Sequence, residues 1–133
     1  MKKINFLILS VIALLLGACT SGSKNTQSAN YNVVPLPAEI TMLEGAPFTV
    51  TSATKIVFPE GNEKMQRNSE FLAEYLEIST GREPAITSAT SDKNAIVLAL
   101  GLENENEEAY QIMVNENLIT ITGVTEAGVF YGI

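Results

Sequence analysis

The chain of 133 residues contains no histidine, no tryptophan, one cysteine and one aspartate. Without histidine, Ser-His and Cys-His catalytic arrangements and histidine metal ligands are excluded. A single cysteine, Cys19, excludes a disulfide within the chain. The single aspartate, Asp92, is followed by Lys93, so the sequence has no adjacent Asp-Glu pair. We therefore expect no catalytic residue, no metal site and no cofactor in this chain.

Basic residues are also scarce, with 8 Lys and Arg against 15 Asp and Glu and a formal net charge of −7. Two of the basic residues, Lys2 and Lys3, lie in the first three positions. The remainder of the chain is therefore more acidic still. Because such a surface repels phosphate backbones, nucleic acid is not an expected partner.

The first residues predict an export signal. Lys2 and Lys3 precede an apolar run over residues 6–16 that only Ser10 interrupts. A membrane-spanning helix needs about 20 apolar residues, so this shorter run is typical of a signal peptide. Leu16-Gly17-Ala18-Cys19 follows directly and resembles the lipobox of bacterial lipoproteins. The alternative is an ordinary secretory signal that happens to precede a cysteine.

The lipobox resemblance implies that the signal peptide, residues 1–18, is cleaved before Cys19. It further implies that the Cys19 thiol carries diacylglycerol and that the new amino terminus is acylated. Residues 19–30 are rich in Ser, Thr, Asn and Gln and predict a lipidated, flexible tether. No acidic residue directly follows Cys19, which favours the outer membrane. We expect a lipoprotein anchored in that bilayer, facing the periplasm or the cell surface.

Residues 31–133 have the pattern of one small α+β domain. The main helix is predicted over residues 62–80, because Asn62 can cap its start and Gly81 can end it. We expect five residues on the inward face of this helix, with Phe71 at its border. The five residues are Met65, Leu72, Tyr75, Leu76 and Ser79. Strands are predicted at seven segments: 40–43, 48–51, 55–58, 85–87, 95–100, 110–114 and 118–122.

The continuously apolar segment 95–100 is typical of a central strand, and Asn115-Glu116-Asn117 predicts a hairpin turn. A second helix is expected to begin at the cap Thr125 and to be incomplete at residue 133. The predicted fold is a mixed β-sheet with helices packed on one face, truncated before a further domain. The other face of the sheet is expected to be half covered or to dock onto another domain. Without that domain, an apolar surface is expected along residues 129–133.

Two acidic groups have alternative interpretations. One group could form a calcium site and consists of Glu103, Glu105, Glu107 and Glu108. Their spacing does not match that of a known calcium-binding loop, so a solvated acidic loop is favoured. Similarly, Glu70, Glu74 and Glu77 could resemble a catalytic carboxylate pair, but a polar helix face explains them better.

Three further features are weighed in the same way. Phe71 and Tyr75 could form a platform for a sugar ring, although packing in the core is favoured. Arg82 could pair with a carboxylate of a partner domain. Gly128 and Gly132 form a G-x-x-x-G spacing, which carries little meaning outside an apolar membrane segment.

Three segments of the domain follow one another in a recognisable order. The domain opens with Asn32-Val33-Val34-Pro35-Leu36-Pro37, and the helix carries Phe71-Leu72-Ala73-Glu74-Tyr75-Leu76 before Thr80-Gly81. Tyr110-Gln111-Ile112 and the hairpin then lead to Ala127-Gly128-Val129-Phe130-Tyr131-Gly132-Ile133. In this order the segments resemble family 20 glycoside hydrolases, the β-N-acetylhexosaminidases. The resemblance covers residues 32–133. It implies a small non-catalytic α+β domain packed before a (β/α)₈ barrel in the same chain.

The resemblance also implies an activity for the whole enzyme. Such enzymes remove terminal N-acetylhexosamine from glycans with retention, using the acetamido oxygen of the substrate as nucleophile and an Asp-Glu pair. This sequence departs from the pattern, because Asp92-Lys93 is not such a pair and the tryptophans of a sugar pocket are absent. No catalytic or sugar-binding residue can therefore be assigned here. The glycan substrate would bind the barrel.

Two other hypotheses stay open at this point. The domain could precede another glycosidase, such as an O-GlcNAcase-like hexosaminidase or an α-glucuronidase. It could also be a stand-alone lipoprotein that binds a glycan or a protein.

Overall fold

The computed structural model describes Tyr31, Val33 and residues 36–133. The predicted signal peptide, Cys19 and the tether lie outside the described residues. A division between two units falls after Ile40, and every element discussed below belongs to the second unit, Thr41–Ile133. Within the part of the chain that is described, no helix combines the length and hydrophobicity needed to cross a bilayer.

Residues 41–133 form a five-stranded mixed sheet and two helices. The strand order is β2-β1-β3-β5-β4; β1 is parallel to β2 and β3, β3 is parallel to β5, and β4 is antiparallel to β5. The predicted α+β class, the central position of β3 and the hairpin are therefore confirmed. The elements are β1 (Lys55–Val57), α1 (Glu63–Thr80), β2 (Ala85–Thr87), β3 (Ala95–Leu100), β4 (Tyr110–Val114), β5 (Leu118–Gly123) and α2 (Glu126–Tyr131).

Both ends of α1 are formed as the sequence predicts. The Asn62 side-chain oxygen accepts a hydrogen bond from the backbone N–H of Met65 at 3.0 Å, which satisfies a donor that the first helical turn leaves free. At the other end Gly81 has φ 68°, and its N–H donates to the Glu77 carbonyl. Glycine adopts this left-handed conformation without the steric penalty of a β-carbon, so the helix ends there.

The core lies between the helices and one face of the sheet. Ile56 pairs in register with Ile96, and Leu98 pairs with Ile121, so these side chains share a face. They pack in one buried cluster with Met65, Leu72 and Ala73 of α1 and Val129 of α2. Because strand side chains alternate, Ile96 and Leu98 of β3 point to the same face and both contribute to this cluster.

The opposite face of the sheet is only partly covered. Val97 and Ala99 alternate with the buried residues of β3 and are half-buried, as are Thr120 and Thr122 of β5. Met113 of β4 pairs with Thr120 and is 50% exposed. The prediction of helices on one face and a half-covered second face is therefore confirmed.

Two predicted strands are not formed. Residues 40–43 and 48–51 have no ladder pairing, so both strand predictions are wrong. Instead the Thr54 side-chain oxygen accepts from the Thr51 N–H at 2.8 Å, and the Thr54 N–H donates to the Thr51 carbonyl at 3.1 Å. This tight turn leads directly into β1. The alternation of apolar and polar residues correctly indicated that Phe48 packs on the core. Alternation does not show whether a second strand is available for pairing, so the strand itself is not formed.

Candidate functional site

The acidic groups singled out in the sequence lie at the surface. Every residue of the loop 103–108 is exposed, and the loop is shaped by asparagine side chains: Asn104 accepts from the Asn106 N–H, and Asn106 accepts from the Glu108 N–H. Within the described residues, no three His, Cys, Asp or Glu side chains gather as a metal site. The exposure of the whole loop agrees with the interpretation as a solvated acidic loop.

The acidic residues of α1, Glu70, Glu74 and Glu77, are likewise exposed and form the predicted polar face. Arg82 is exposed, and its backbone N–H donates to the Thr80 hydroxyl at 3.3 Å. The described residues contain no partner domain that Arg82 could contact. Its proposed pairing therefore stays a prediction.

The inward face of α1 differs from the prediction. Met65 and Leu72 are buried as expected, but Asn68, Ser69 and Ala73 are buried with them. Tyr75 and Ser79 are exposed instead, so their placement in the core is wrong. Hydrophobicity alone turned the predicted face toward the aromatic side of the helix, whereas the actual buried face combines Met65 and Leu72 with the small and polar residues Asn68, Ser69 and Ala73.

Five large apolar side chains lie on the outer side of the helices, and we call them the helix-side aromatic patch. Phe71 and Phe130 have ring centroids 5.6 Å apart at 73°, and Phe130 and Tyr131 have centroids 6.0 Å apart at 66°. These are the edge-to-face arrangements that aromatic rings prefer. The members and their exposed fractions are Phe71 46%, Tyr75 54%, Ile78 75%, Phe130 43% and Tyr131 53%.

The patch partly corrects the sequence prediction for residues 129–133. Phe130 and Tyr131 are exposed as expected, but Val129 is fully buried and Gly132 is buried as well. The preference for Phe71 as a core residue is wrong, because almost half of this side chain is exposed. The apolar surface therefore spans both helices and is not a property of the last residues alone.

Two glycines fix how α2 lies on the sheet. A β-carbon on Gly128 would lie 2.5 Å from the Ala109 carbonyl oxygen, and one on Gly132 would lie 2.6 Å from a methyl group of Ile121. Only glycine permits this approach, so the side of α2 that carries Gly128 and Gly132 faces the hairpin. The G-x-x-x-G spacing thus has a packing role that sequence reasoning missed.

A hydrogen-bonded junction joins the starts of the two helices. Asn62 donates through Nδ2 to Glu126 Oε1 at 3.0 Å, in addition to capping α1. The buried Asn68 donates to the backbone carbonyl of Glu126 at 2.8 Å. Lys64 Nζ lies 3.9 Å from Glu126 Oε2. The junction and the glycine contacts together set the position of α2 relative to α1.

The junction changes the acidity of Glu126. The hydrogen bond from Asn62 lowers the pKa of the Glu126 carboxyl, and its own backbone N–H and the positive charge of Lys64 act in the same direction. Desolvation acts against them, but the pKa stays below 4.5. The carboxylate is therefore ionised at neutral pH and serves as a structural link.

The described residues thus form a small α+β domain whose main surface features are an exposed apolar patch on the helices and a structural junction between them. About 100 residues is the usual size of one domain.

The chain belongs to glycosyl hydrolase family 20, because the model of domain 2 of that family matches residues 30–133. Domain 2 is the non-catalytic α+β domain, and it accompanies a catalytic barrel in the same chain. No curated protein matches this sequence significantly.

Solved structures agree with the family. The β-N-acetylhexosaminidase of Streptomyces coelicolor A3(2) is 30% identical, with a TM-score of 0.66 over 75% of this chain. A mutant β-hexosaminidase of Streptomyces plicatus in complex with the product GlcNAc is 27% identical, with a TM-score of 0.65 over 75% of this chain. The chain spans only 19% of the length of each of these proteins.

Proposed function

We propose that this chain is the N-terminal supporting domain of an exported β-N-acetylhexosaminidase. The observation that carries the proposal is the match of residues 30–133 to domain 2 of glycosyl hydrolase family 20, together with the 30% identity to a solved β-N-acetylhexosaminidase. The full-length protein would remove terminal N-acetylhexosamine from a glycan. The reaction would take place in the barrel, and this domain would hold the barrel in a stable position.

We further propose a substrate-assisted, retaining mechanism for the full-length protein. In this mechanism the acetamido oxygen of the substrate attacks the anomeric carbon, and an Asp-Glu pair of the barrel orients that group and protonates the leaving oxygen. The absence of an Asp-Glu pair from this chain agrees with such a division of labour, because the support then needs no acid or base of its own.

The test is an assay of the purified full-length protein with nitrophenyl N-acetyl-β-D-glucosaminide. We expect release of nitrophenol, and we expect little release from the matched β-D-glucoside, which lacks the acetamido nucleophile. Replacing the acetyl group by trifluoroacetyl withdraws electrons from that oxygen and is expected to slow hydrolysis strongly. Equal rates on glucoside and N-acetylglucosaminide would contradict the assignment.

The same assay separates two of the alternatives. Hydrolysis of a nitrophenyl α-glucuronide without activity on the hexosaminide would favour an α-glucuronidase, although the family match weighs against it. A native polypeptide with no barrel and no glycosidase activity would favour the stand-alone binding lipoprotein.

Export and anchoring form a separate part of the proposal, supported by the sequence Leu16-Gly17-Ala18-Cys19 behind an apolar run. We propose that Cys19 is lipidated and that the protein faces the periplasm or the cell surface from the outer membrane. Cells fed a clickable fatty acid are expected to label the wild-type protein but not Cys19→Ser. Labelling that persists in Cys19→Ser would contradict the anchor and leave the glycosidase assignment unchanged.

A further inference from the structure

The two edges of the sheet differ in how well they are protected against pairing with a further strand. At one edge, β2 has only three residues, Ala85–Thr87, and Pro84 directly precedes them. Short strands and prolines are common means of protecting an edge. At the other edge, β4 has five residues without proline or charge, and it pairs with β5 in one continuous register from Tyr110 to Val114. Among the described strands, β4 is therefore the edge that can still accept a partner.

Hydrogen bonds at the two ends of β4 show which of its backbone groups face outward. The Val124 N–H donates to the Ala109 carbonyl at 3.1 Å, and the Asn115 N–H donates to the Leu118 carbonyl at 2.9 Å. Antiparallel neighbours exchange hydrogen bonds at every second residue. The odd-numbered residues of β4 therefore bond to β5, and the even-numbered residues direct their backbone groups away from it.

The outward residues are Tyr110, Ile112 and Val114. On that side none of them pairs with another strand of the described chain. Ile112 and Val114 are 48% and 45% exposed, so an added strand can approach them. An antiparallel strand would exchange about six hydrogen bonds with the edge, two at each outward residue.

The charge around this edge indicates what kind of strand it accepts. Residues 94–133 contain six glutamates and no lysine or arginine. Glu107 and Glu108 lie just before β4, Glu116 lies in the turn after it, and all three are exposed. Carboxylates at both ends of an uncharged strand favour a partner strand that has basic ends.

The same charges disfavour a second copy of this chain as the partner. Two copies of β4 paired around a two-fold axis at Ile112 would bring the turn that holds Glu116 in each copy close to Glu108 of the other. Like charges opposite each other destabilise paired strands. A partner of different sequence, with lysine or arginine at these positions, replaces the repulsion by attraction.

We propose that the free edge of β4 binds an extended peptide segment of another protein, which adds to the sheet as an antiparallel strand. The centre of that segment is uncharged and alternates apolar with polar residues, and lysine or arginine flanks it at both ends. Hydrogen bonds to Tyr110, Ile112 and Val114 supply the affinity, and the exposed side chains of Ile112 and Met113 contact the centre of the peptide. This site does not depend on the proposed hexosaminidase function.

The test uses the full-length protein and a fluorescent synthetic peptide that alternates valine with threonine and carries lysines at both ends. Fluorescence anisotropy measures binding, and hydrogen exchange followed by mass spectrometry locates it. We expect saturable binding that slows exchange in residues 110–114. A control peptide with glutamates at its ends, and one with alternate backbone nitrogens methylated, are each expected to bind at least about tenfold more weakly.

Two protein variants separate the backbone contribution from the charge contribution. Ile112→Pro removes an outward N–H without removing a bond to β5, and it is expected to weaken binding about tenfold. Ile112→Val keeps this N–H and is the matched control, for which we expect little change. The double variant Glu108→Lys with Glu116→Lys is expected to reverse the preference, so that the glutamate-flanked peptide binds more tightly than the lysine-flanked one.

Absence of binding to the full-length protein would overturn the proposal. Equal binding of the methylated peptide would do so as well, and this result does not depend on whether Ile112→Pro folds. Slowed exchange only outside residues 110–114, or an unchanged preference in the double variant, would also count against the site. Hexosaminidase activity of the same samples is a separate readout, because active protein that does not bind the peptide rejects this site alone.

Discussion

The two faces of the sheet differ in how deeply their side chains are buried, although the same strands form both faces. On the helix side, Ile96 and Leu98 of β3 are almost completely buried and belong to the core. On the other side, Val97 and Ala99 of the same strand are only half-buried. The comparison teaches that this domain draws its packing stability from one face of the sheet. Exposed aromatic side chains lie one layer further out, on the helices.

The largest expected effect tests this asymmetry within one strand. Leu98→Ala is expected to lower the free energy of unfolding by about 2–5 kcal/mol, because it leaves a cavity in the core. Val97→Ala, its neighbour on the open face, is expected to cost about 1 kcal/mol or less. Urea denaturation of residues 31–133 at low protein concentration measures both. Equal losses would show that the two faces contribute alike.

A second prediction concerns the contact between α2 and the hairpin. Gly128→Ala places a β-carbon against the Ala109 carbonyl oxygen and is expected to cost about 1–3 kcal/mol through overpacking. The exposed neighbour Ala127 supplies the control, since Ala127→Ser is expected to change stability by only about 0.5 kcal/mol. A harmless Gly128→Ala would mean that α2 is not held where the structure places it.

A third and smaller effect concerns the patch itself. Phe130→Ser removes an edge-to-face contact with Phe71 worth about 0.5–1.5 kcal/mol, so the isolated domain is expected to stay folded. Its binding of a fluorescent hydrophobic dye is expected to fall clearly, because the exposed apolar area shrinks. Met113→Ser is the matched change on the opposite face. A larger fall in dye binding for Met113→Ser than for Phe130→Ser would contradict this prediction, because the dye would then bind mainly to the open face of the sheet.

The smallest expected effect is the pH dependence of the helix junction. The pKa of Glu126 is lowered from 4.5 in the folded state, so the unfolded state binds protons more readily in acid. The contribution of Glu126 to stability is therefore complete above about pH 4.5 and is lost as the pH falls through the folded pKa.

Glu126→Gln is expected to flatten this acid part of the stability curve, and Asn62→Ala, which removes the main hydrogen-bond donor, is expected to flatten it in part. Thermal melts between neutral pH and pH values below 4.5 measure the slope. An unchanged slope in both variants would show that the junction does not control acid stability.

Local signals explain which elements were predictable from the sequence. Asn62, Gly81 and Thr125 act within a few residues of their own positions, so the helix ends followed directly from residue type. The hairpin depends on Asn115, whose side-chain oxygen accepts from the N–H groups of Asn117 and Leu118, and this too is a local interaction. The continuous apolar run of β3 identified the central strand because both faces of this strand are buried or half-buried over residues 95–99.

The errors arose where long-range contacts decide the outcome. Phe48 packs on the core without belonging to a strand, because alternation does not reveal whether a pairing partner exists. Asn68 is buried because it donates to Glu126, which lies 58 positions later in the chain. Tyr75 was placed inward because hydrophobicity does not distinguish a buried core from an exposed apolar surface, and the patch contains the same residue types as a core.

The most direct test of the account is oxidative footprinting of the native methionines in residues 31–133. Met65 lies between the helices and the sheet and is fully buried, whereas Met113 lies on the open face and is 50% exposed. Mass spectrometry is expected to show strong protection of Met65 and ready oxidation of Met113 in the native domain, and denaturant is expected to abolish the difference. Equal oxidation of the two methionines in the native domain would contradict the account.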